Sequence, residues 1–209
     1  MNAGTRIVGV DGPAGRIDVA VDRPDGPPRG LAIVAHPHPL YGGTRDNKVV
    51  QTVARALLAL DHVCWRPDFR GIGATEGVYD EGRGETEDLL AVVAAARAAE
   101  PGGDDLPLVL AGFSFGSFVQ SRVARRLAEA RRPASRLVFI GTAASRFEVE
   151  PVPADTLVIH GEVDDTVPLS AVLDWARPQE LPVVVIPGAD HFFHRKLTDL
   201  KQLLVRELR

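Results

Sequence analysis

A tight turn with the pattern Gly-x-Ser-x-Gly constrains this chain more than any other feature of its sequence. It occupies residues 112–116 and reads Gly-Phe-Ser-Phe-Gly, between a short apolar run at residues 108–111 and a helical pattern that begins directly after it. Strand, turn and helix in this order are the context that a nucleophile elbow requires. In such a turn Gly112 and Gly116 lie where a Cβ would collide with neighbouring backbone. The pattern predicts Ser114 as a nucleophile, and an ordinary turn with a capping serine is the alternative.

The apolar residues of the chain follow strand and helix patterns in alternation. Short continuous apolar runs, typical of buried parallel strands, lie at residues 31–35, 62–66, 108–111, 137–140, 156–160 and 182–186. Helical spacing lies at residues 44–60, 84–99, 116–130, 168–176 and 193–207. Residues 6–10 and 16–21 alternate around a turn, which predicts an antiparallel hairpin. Together these patterns predict an α/β fold, a three-layer α/β/α sandwich with a mostly parallel sheet and an N-terminal antiparallel hairpin.

The length and the net charge of the chain indicate how many domains it forms and which kinds of partner are not expected. The 209 residues contain no repeat, linker or low-complexity segment, so we expect a single domain over residues 1–209. The net charge of −4 gives no reason to expect a nucleic acid or a membrane as a partner. Five arginines on and just after the third helical segment predict a solvated helix face, with a binding patch as the alternative: Arg122, Arg125, Arg126, Arg131 and Arg132.

The N-terminal sequence predicts a cytoplasmic protein, or at least one that lacks a recognisable export signal. The first residues carry no apolar export segment, and no apolar run approaches the length of a membrane span. Cys64 excludes an internal disulfide because it has no partner cysteine, and its apolar surroundings predict a buried strand position. A catalytic thiol is the alternative, although no elbow surrounds it. The sequence is compatible with a monomer or a homodimer.

A serine nucleophile needs a general base and an orienting carboxylate, which on this fold follow the serine in the order acid, then histidine. His191 lies in the loop after the last predicted strand and is the candidate base; His194 falls in the first turn of the last predicted helix. The acid lies in the loop after the strand at residues 156–160. Three carboxylates compete there, with Asp164 first, Asp165 second and Glu162 third. Spacing alone leaves all three open.

The second half of the proposed site is an oxyanion hole built from two backbone N–H groups. The N–H of Phe115, directly after the nucleophile, is one candidate. The loop after the strand at residues 31–35 reads His-Pro-His-Pro, and His38 is the residue between the two prolines that can donate a backbone N–H. The alternative is a metal pair of His36 and His38 with Asp46 nearby.

These motifs together resemble the α/β-hydrolase superfamily across nearly the whole chain. The matching segments are the elbow at residues 112–116, residues 160–168, and Asp-His-Phe-Phe at residues 190–193. Residues 68–73 resemble the Arg-Gly-x-Gly loop common beneath such sites. The segment at residues 36–50 resembles that of small bacterial serine hydrolases described as dienelactone-hydrolase-like or carboxylesterase-like.

The resemblance implies a catalytic triad of Ser114, Asp164 and His191. True dienelactone hydrolases carry cysteine at the elbow and haloalkane dehalogenases carry aspartate, so the serine here argues against both activities. Many lipases and epoxide hydrolases of the superfamily insert a helical lid where this chain has only residues 141–155, with prolines at 151 and 153. We therefore expect a small open site without a large lid.

The sequence thus predicts a serine esterase that cleaves small or short-acyl carboxylic esters through an acyl-enzyme, with no cofactor and no metal. A thioesterase, a small amidase or peptidase, and a non-catalytic binding protein on the same fold are the alternatives. Tyr41, Phe113 and Phe192 are possible pocket residues, as is Trp65, although each fits a plain core position equally well.

Overall fold

Eight strands form one sheet, in the order β1-β2-β4-β3-β5-β6-β7-β8. The structure is a computed structural model that describes residues 4–209. The strands are β1 (Arg6–Gly12), β2 (Gly15–Asp22), β3 (Gly30–Ala35), β4 (His62–Pro67), β5 (Leu108–Phe113), β6 (Arg136–Ile140), β7 (Leu157–Gly161) and β8 (Val183–Ile186). From β4 to β8 every neighbouring pair is parallel, whereas β2 is antiparallel to both β1 and β4. The predicted sheet and its N-terminal hairpin are confirmed.

Helices cover both faces of this sheet, because alternate residues of its central strands enter two separate cores. Leu31 and Ile33 of β3 pack in one cluster with α2 and α3, and Ala32 and Val34 pack in the other with α1 and α5. The helices are α1 (Lys48–Leu58), α2 (Arg83–Ala98), α3 (Phe115–Glu129), α4 (Leu169–Ala176) and α5 (Leu197–Glu207). The three-layer arrangement that alternating elements predict is therefore present.

Two helices begin later than their apolar spacing predicts. Helix α1 begins at Lys48 rather than at residue 44, because the Asn47 side chain accepts a hydrogen bond from the Val49 N–H at 2.8 Å and caps the helix. Helix α5 begins at Leu197 rather than at residue 193, since Phe193 and Arg195 have φ angles of 54° and 60°, which no right-handed helix accommodates.

The segment between β6 and β7 contains turns and no helix, as the sequence predicts. Within residues 4–209, no helix is both long and apolar enough to cross a membrane.

The arginines of α3 project from the surface, as expected of a solvated face. Arg125 pairs with Glu150 at 2.7 Å and Arg126 with Glu87 at 2.6 Å, and all four side chains are partly exposed to solvent. Such pairs contribute little to stability because water screens them.

Candidate active site

The turn after β5 holds Ser114 in a strained backbone conformation. Its φ and ψ angles are 55° and −117°, outside the regions that residues with a side chain normally occupy. A Cβ on Gly112 would lie 2.4 Å from the Gly116 carbonyl, and one on Gly116 would lie 2.4 Å from the Ala35 carbonyl oxygen. The two glycines therefore permit the close approach of α3 to the sheet that this turn requires.

Ser114, His191 and Asp164 form a continuous chain of hydrogen bonds. His191 Nε2 lies 3.1 Å from Ser114 Oγ, and His191 Nδ1 lies 2.7 Å from Asp164 Oδ2. A carboxylate can only accept, so Nδ1 carries the proton and the Nε2 lone pair faces the serine hydroxyl. All three side chains belong to buried residues. The loops after β5, β7 and β8 thus bring together the three side chains that the resemblance assigns to the triad.

Asp164 is the one of the three competing carboxylates that contacts His191. Its other oxygen, Oδ1, accepts hydrogen bonds from the N–H groups of Thr166 at 3.0 Å and Val167 at 2.8 Å. Burial by itself would raise the pKa of this carboxyl, but the hydrogen bonds from His191 and Val167 outweigh it and hold the pKa below its ordinary value. Asp164 is therefore ionised at neutral pH.

The other two carboxylates have different roles. Glu162 is exposed and accepts a hydrogen bond from the Gly188 N–H at 2.8 Å, which ties the acid loop to the histidine loop. Asp165 is exposed and lies 3.4 Å from the Thr166 hydroxyl.

Two glycines at strand ends leave the room that His191 needs. A Cβ on Gly161, the last residue of β7, would lie 2.4 Å from the Ala189 carbonyl oxygen, so the acid loop and the histidine loop touch through backbone. Gly141 follows β6 with a φ of 54°, and a Cβ there would lie 3.2 Å from the His191 ring. Nothing in the sequence marks either glycine as important for the histidine, although each directly follows a predicted strand.

His194 lies in the turn before α5, rather than in the helix, and has a different partner. Its Nδ1 lies 2.6 Å from Asp190 Oδ2, and its backbone N–H donates to Asp190 Oδ1 at 3.0 Å. Its side chain is 70% exposed. Asp190 and His194 thus close the surface turn that carries His191.

The His36 ring stabilises the loop between β3 and α1 through two hydrogen bonds. Its Nδ1 donates to the Pro37 carbonyl at 2.6 Å, and its Nε2 accepts from the Phe69 N–H at 2.9 Å. Burial lowers the pKa of His36 to about 3, so the ring is neutral. Both nitrogens are occupied, and no group of three or more metal-ligating side chains occurs among residues 4–209. These contacts oppose the metal alternative for His36 and His38.

The two candidate oxyanion donors belong to adjoining residues. The rings of His38 and Phe115 lie 4.9 Å apart between centroids. In residues 4–209 neither backbone N–H donates to another group. The His38 carbonyl accepts from the N–H groups of Tyr41 and Gly43, which closes the loop into a tight turn.

Aromatic rings surround His38, and the sequence did not predict these contacts. Its ring lies between 4.6 and 5.8 Å from those of Tyr41, Tyr79 and Phe147. Burial, together with the charge of Arg146, lowers the pKa of His38. Tyr79 and Phe147 lie in predicted loops, so no periodic pattern marked them.

The possible pocket residues fall into three environments. Tyr41 is 76% exposed beside His38, and Phe192 is 44% exposed with its ring 5.2 Å from that of His191. Phe113 is buried and packs 4.9 Å from the His191 ring, and Trp65 is part of the buried core. Cys64 is fully buried, and burial raises the pKa of its thiol, so it remains protonated rather than nucleophilic.

The sheet order, the antiparallel hairpin and the elbow after β5 are those of the α/β-hydrolase fold. A crystal structure from Xanthomonas campestris, described as an α/β serine hydrolase without a lid, is 38% identical and has a TM-score of 0.90 over 100% of this chain and 95% of that one. An α/β serine hydrolase homologue from Coxiella burnetii is 35% identical, with a TM-score of 0.84 over 100% and 99% of the two chains. The chain belongs to the α/β serine hydrolase family.

Two further comparisons have lower sequence identity, and the first of them shows a similarity of fold alone. A dienelactone hydrolase from Anabaena variabilis is 20% identical, with a TM-score of 0.74 over 98% of this chain and 96% of that one. An uncharacterised protein of Rickettsia prowazekii is 28% identical over 204 residues, which cover 93% of this chain and 84% of that protein. No protein-family model matches the chain.

Proposed function

We propose that this α/β hydrolase cleaves small or short-acyl carboxylic esters through an acyl-enzyme on Ser114. The observation that carries the proposal is the hydrogen-bond chain from Asp164 through His191 to Ser114, whose polarity suits proton removal from the serine hydroxyl. A serine hydroxyl is a weak nucleophile at neutral pH and gains reactivity when an adjacent base accepts its proton.

In the first half of the reaction, Ser114 Oγ attacks the ester carbonyl carbon as His191 Nε2 takes the hydroxyl proton. The N–H groups of His38 and Phe115 stabilise the negative charge that develops on the carbonyl oxygen. His191 then gives its proton to the departing alkoxide, and the carbon–oxygen bond of the ester breaks. Asp164 holds the imidazole in the required tautomer and stabilises its cation.

The second half repeats these transfers with water. His191 takes a proton from a water molecule, the hydroxide attacks the acyl carbon, and the proton returns to Ser114 Oγ as the acid is released. Every proton passes through His191, so the proposed cycle uses no cofactor.

The surroundings of the proposed triad favour small apolar esters. No helix covers Ser114 from the segment between β6 and β7, so no enclosed channel for a long acyl chain is formed by that segment. Four of the exposed large apolar side chains lie in the loops that carry the proposed site residues: Leu40, Tyr41, Val163 and Phe192. An apolar rim of this kind offers contact area to short hydrocarbon groups on either side of the ester bond.

A serine-directed fluorophosphonate probe combined with p-nitrophenyl acetate hydrolysis tests the proposal. We expect the wild type to be labelled at Ser114 and to hydrolyse the ester, and Ser114→Ala to lose both properties while keeping its circular dichroism spectrum. Ser170→Ala, which removes an exposed hydroxyl on α4, is the matched control and should behave as the wild type.

Retention of turnover by Ser114→Ala would refute the proposed mechanism. A folded wild type that neither reacts with the probe nor hydrolyses the acetate, an acetyl thioester or an acetyl anilide would instead favour a non-catalytic binding protein on this fold.

A further inference from the structure

A second histidine lies against the carboxylate of the proposed triad. His160, near the end of β7, is completely buried. Its Nε2 is 2.9 Å from the Val167 carbonyl oxygen and 3.4 Å from Asp164 Oδ2, the oxygen that also contacts His191. In the sequence, His160 ends a predicted strand and opens the matching segment at residues 160–168, and neither pattern assigns it a role in the site.

The partners of His160 define its protonation state. A carbonyl oxygen can only accept, so Nε2 carries the proton and donates it to Val167. Burial lowers the pKa of His160 despite the nearby carboxylate, so the ring is neutral at pH 7. The Nε2–H group therefore presents the positive end of its bond dipole to Asp164 Oδ2 without adding a charge.

The same contact closes a ring of interactions around Asp164. Val167 accepts from His160 through its carbonyl and donates to Asp164 Oδ1 through its N–H. Oδ1 is thus held by the turn at residues 164–167, the turn is held by His160, and Oδ2 remains directed at His191. Rotation of the Asp164 carboxylate would break these contacts together.

Packing alone does not account for an imidazole at this position. His160 Nδ1 is buried and has no hydrogen-bond partner among residues 4–209. A buried polar atom without a partner costs free energy that a leucine of similar volume would not incur. The polar contacts of the ring that the structure shows are made by Nε2, with the Val167 carbonyl and with Asp164 Oδ2, and both partners lie in the acid loop.

We propose that His160 is a positioning residue that orients the Asp164 carboxylate toward His191 and withdraws part of its negative charge from that histidine. The proposal rests on the proposed function of the triad. His160 acts through Asp164 and is not assigned any contact with substrate.

The charge effect has a defined direction. Asp164 and His191 are the two ionisable groups that influence His160 in the described part of the chain. Without the Nε2–H dipole, the full negative potential of Asp164 acts on His191 and favours its protonated form. The acidic limb of the kcat/KM profile, where the base becomes protonated, should then move to higher pH.

The experiment compares three variants with the wild type. His160→Leu removes the donor and keeps the volume, and His160→Gln restores an amide N–H close to the position of Nε2. Val158→Ala is the control, since Val158 is a buried residue two positions earlier on β7 and its truncation tests packing loss alone. Thermal unfolding and fluorophosphonate titration give the folded, reactive fraction of each protein.

We expect His160→Leu to lower kcat per titrated site about 10- to 100-fold with little change in KM, because a misoriented acid slows the chemical step. Its acidic limb should move up by about 0.5 pH unit. His160→Gln should recover most of both effects. Val158→Ala should be less stable, with an unchanged pH profile and unchanged kcat per site.

A measurement that does not require turnover distinguishes failure of this inference from failure of the proposed function. The proton between His191 and Asp164 is followed by low-field proton NMR in the wild type and in His160→Leu. We expect its resonance to shift or broaden in His160→Leu and to be retained in His160→Gln and Val158→Ala. The inference is overturned if the resonance is unchanged in His160→Leu, or if kcat and pH profile in His160→Leu match those of Val158→Ala.

Discussion

At the scale of single residues, the partners of each histidine define what its ring can do. His191 lies between a carboxylate and a serine hydroxyl, so one nitrogen is protonated and the other is free to accept a proton. His36 has the same tautomer, but its accepting nitrogen is occupied by a backbone N–H. His194 pairs with an exposed carboxylate, where solvent weakens the interaction. Chemically identical side chains thus differ in what they can do: the His191 ring can accept a proton from a hydroxyl, the His36 ring is held by two backbone groups, and His194 pairs with a carboxylate at the surface.

The choice among three carboxylates leads to a direct prediction. Asp164→Asn should lower kcat about 10³- to 10⁴-fold, because an amide that donates to His191 Nδ1 would favour the wrong tautomer. Asp165→Asn and Glu162→Gln remove exposed carboxylates that do not contact His191, and both should keep near wild-type rates. Steady-state hydrolysis of p-nitrophenyl acetate by the three purified variants measures this. A large loss of activity in Asp165→Asn with little loss in Asp164→Asn would show that Asp164 is not the acid of the site.

His36 predicts a pH dependence of stability. Its pKa is about 3 in the folded protein against an ordinary value of 6.5, because burial disfavours the charged ring. Below pH 6.5 the unfolded chain binds a proton that the folded protein does not, so stability falls as the pH is lowered toward 3. The contribution of this residue is about 1.4 kcal/mol per pH unit within that window.

The measurement is urea unfolding of the wild type and His36→Gln at several pH values between 7 and about 4. The variant is expected to be less stable at neutral pH, because it loses the contacts of the ring. The difference between the two proteins should shrink as the pH falls, since only the wild type loses the His36 contribution. A difference that stays constant with pH contradicts the prediction.

At the scale of elements, the sequence predicted all eight strands from two kinds of pattern. Strands β3 to β8 are short, continuous apolar runs, and β1 and β2 alternate apolar and polar residues around a turn. The prediction failed at the start of α5, where the buried ring of Phe193 and a left-handed backbone replace the first helical turn. The reason is tertiary: apolar spacing through residue 193 is the same whether the ring is buried from a helix or from a turn. The position at which the loop stops and α5 begins is therefore determined by the packing of Phe193 into the core rather than by the helix propensity of the local sequence.

The same division holds for the candidate site: features that depend on neighbouring residues were predicted from the residues alone, and features that depend on tertiary contacts were not. The elbow is a local pattern, so Ser114 and its two glycines could be recognised from adjacent residues. The residues alone rank Asp164 first among the three carboxylates but leave the other two open, because the direction of a side chain in a loop after a strand does not follow from spacing. The resemblance supports the choice of Asp164. The contact between His160 and Asp164 was not predicted, although His160 lies in the matching segment at residues 160–168, because a histidine at a strand end fits a core position equally well until its neighbour across the turn is known.

The close packing of α3 on the sheet gives an element-scale prediction. Gly116→Ala would place a Cβ 2.4 Å from the Ala35 carbonyl oxygen, and backbone cannot move aside as a flexible side chain can. We expect a loss of about 1–3 kcal/mol or more in the free energy of unfolding, with reduced labelling of Ser114 by fluorophosphonate. Gly26→Ala is the control, because nothing lies within 4 Å of its added Cβ. Equal stabilities of the two variants would contradict the close approach.

At the scale of the whole molecule, the proposed site lies at one edge of the sheet. The carboxyl ends of β3, β5, β7 and β8 are followed by His38, Ser114, Asp164 and His191, in loops of different parts of the chain. Parallel strands place these loops side by side, which is why residues 77 positions apart in sequence share a hydrogen bond. The segment after β6 adds Gly141 beside His191 and no covering helix.

This open edge predicts a preference for short acyl chains. A series of p-nitrophenyl acetate, butyrate, octanoate and palmitate, each below its solubility limit, should give kcat/KM values that decrease from the short to the long esters. The physical reason is that the rim offers apolar contact to a few methylene groups, whereas the rest of a C16 chain remains in water and gains no binding energy for the transition state. Ser114→Ala run with each substrate corrects for spontaneous hydrolysis. Faster hydrolysis of palmitate than of acetate and butyrate would show that a long chain finds a binding surface on this face, and the small-substrate assignment would then be wrong even with the Ser114 chemistry intact.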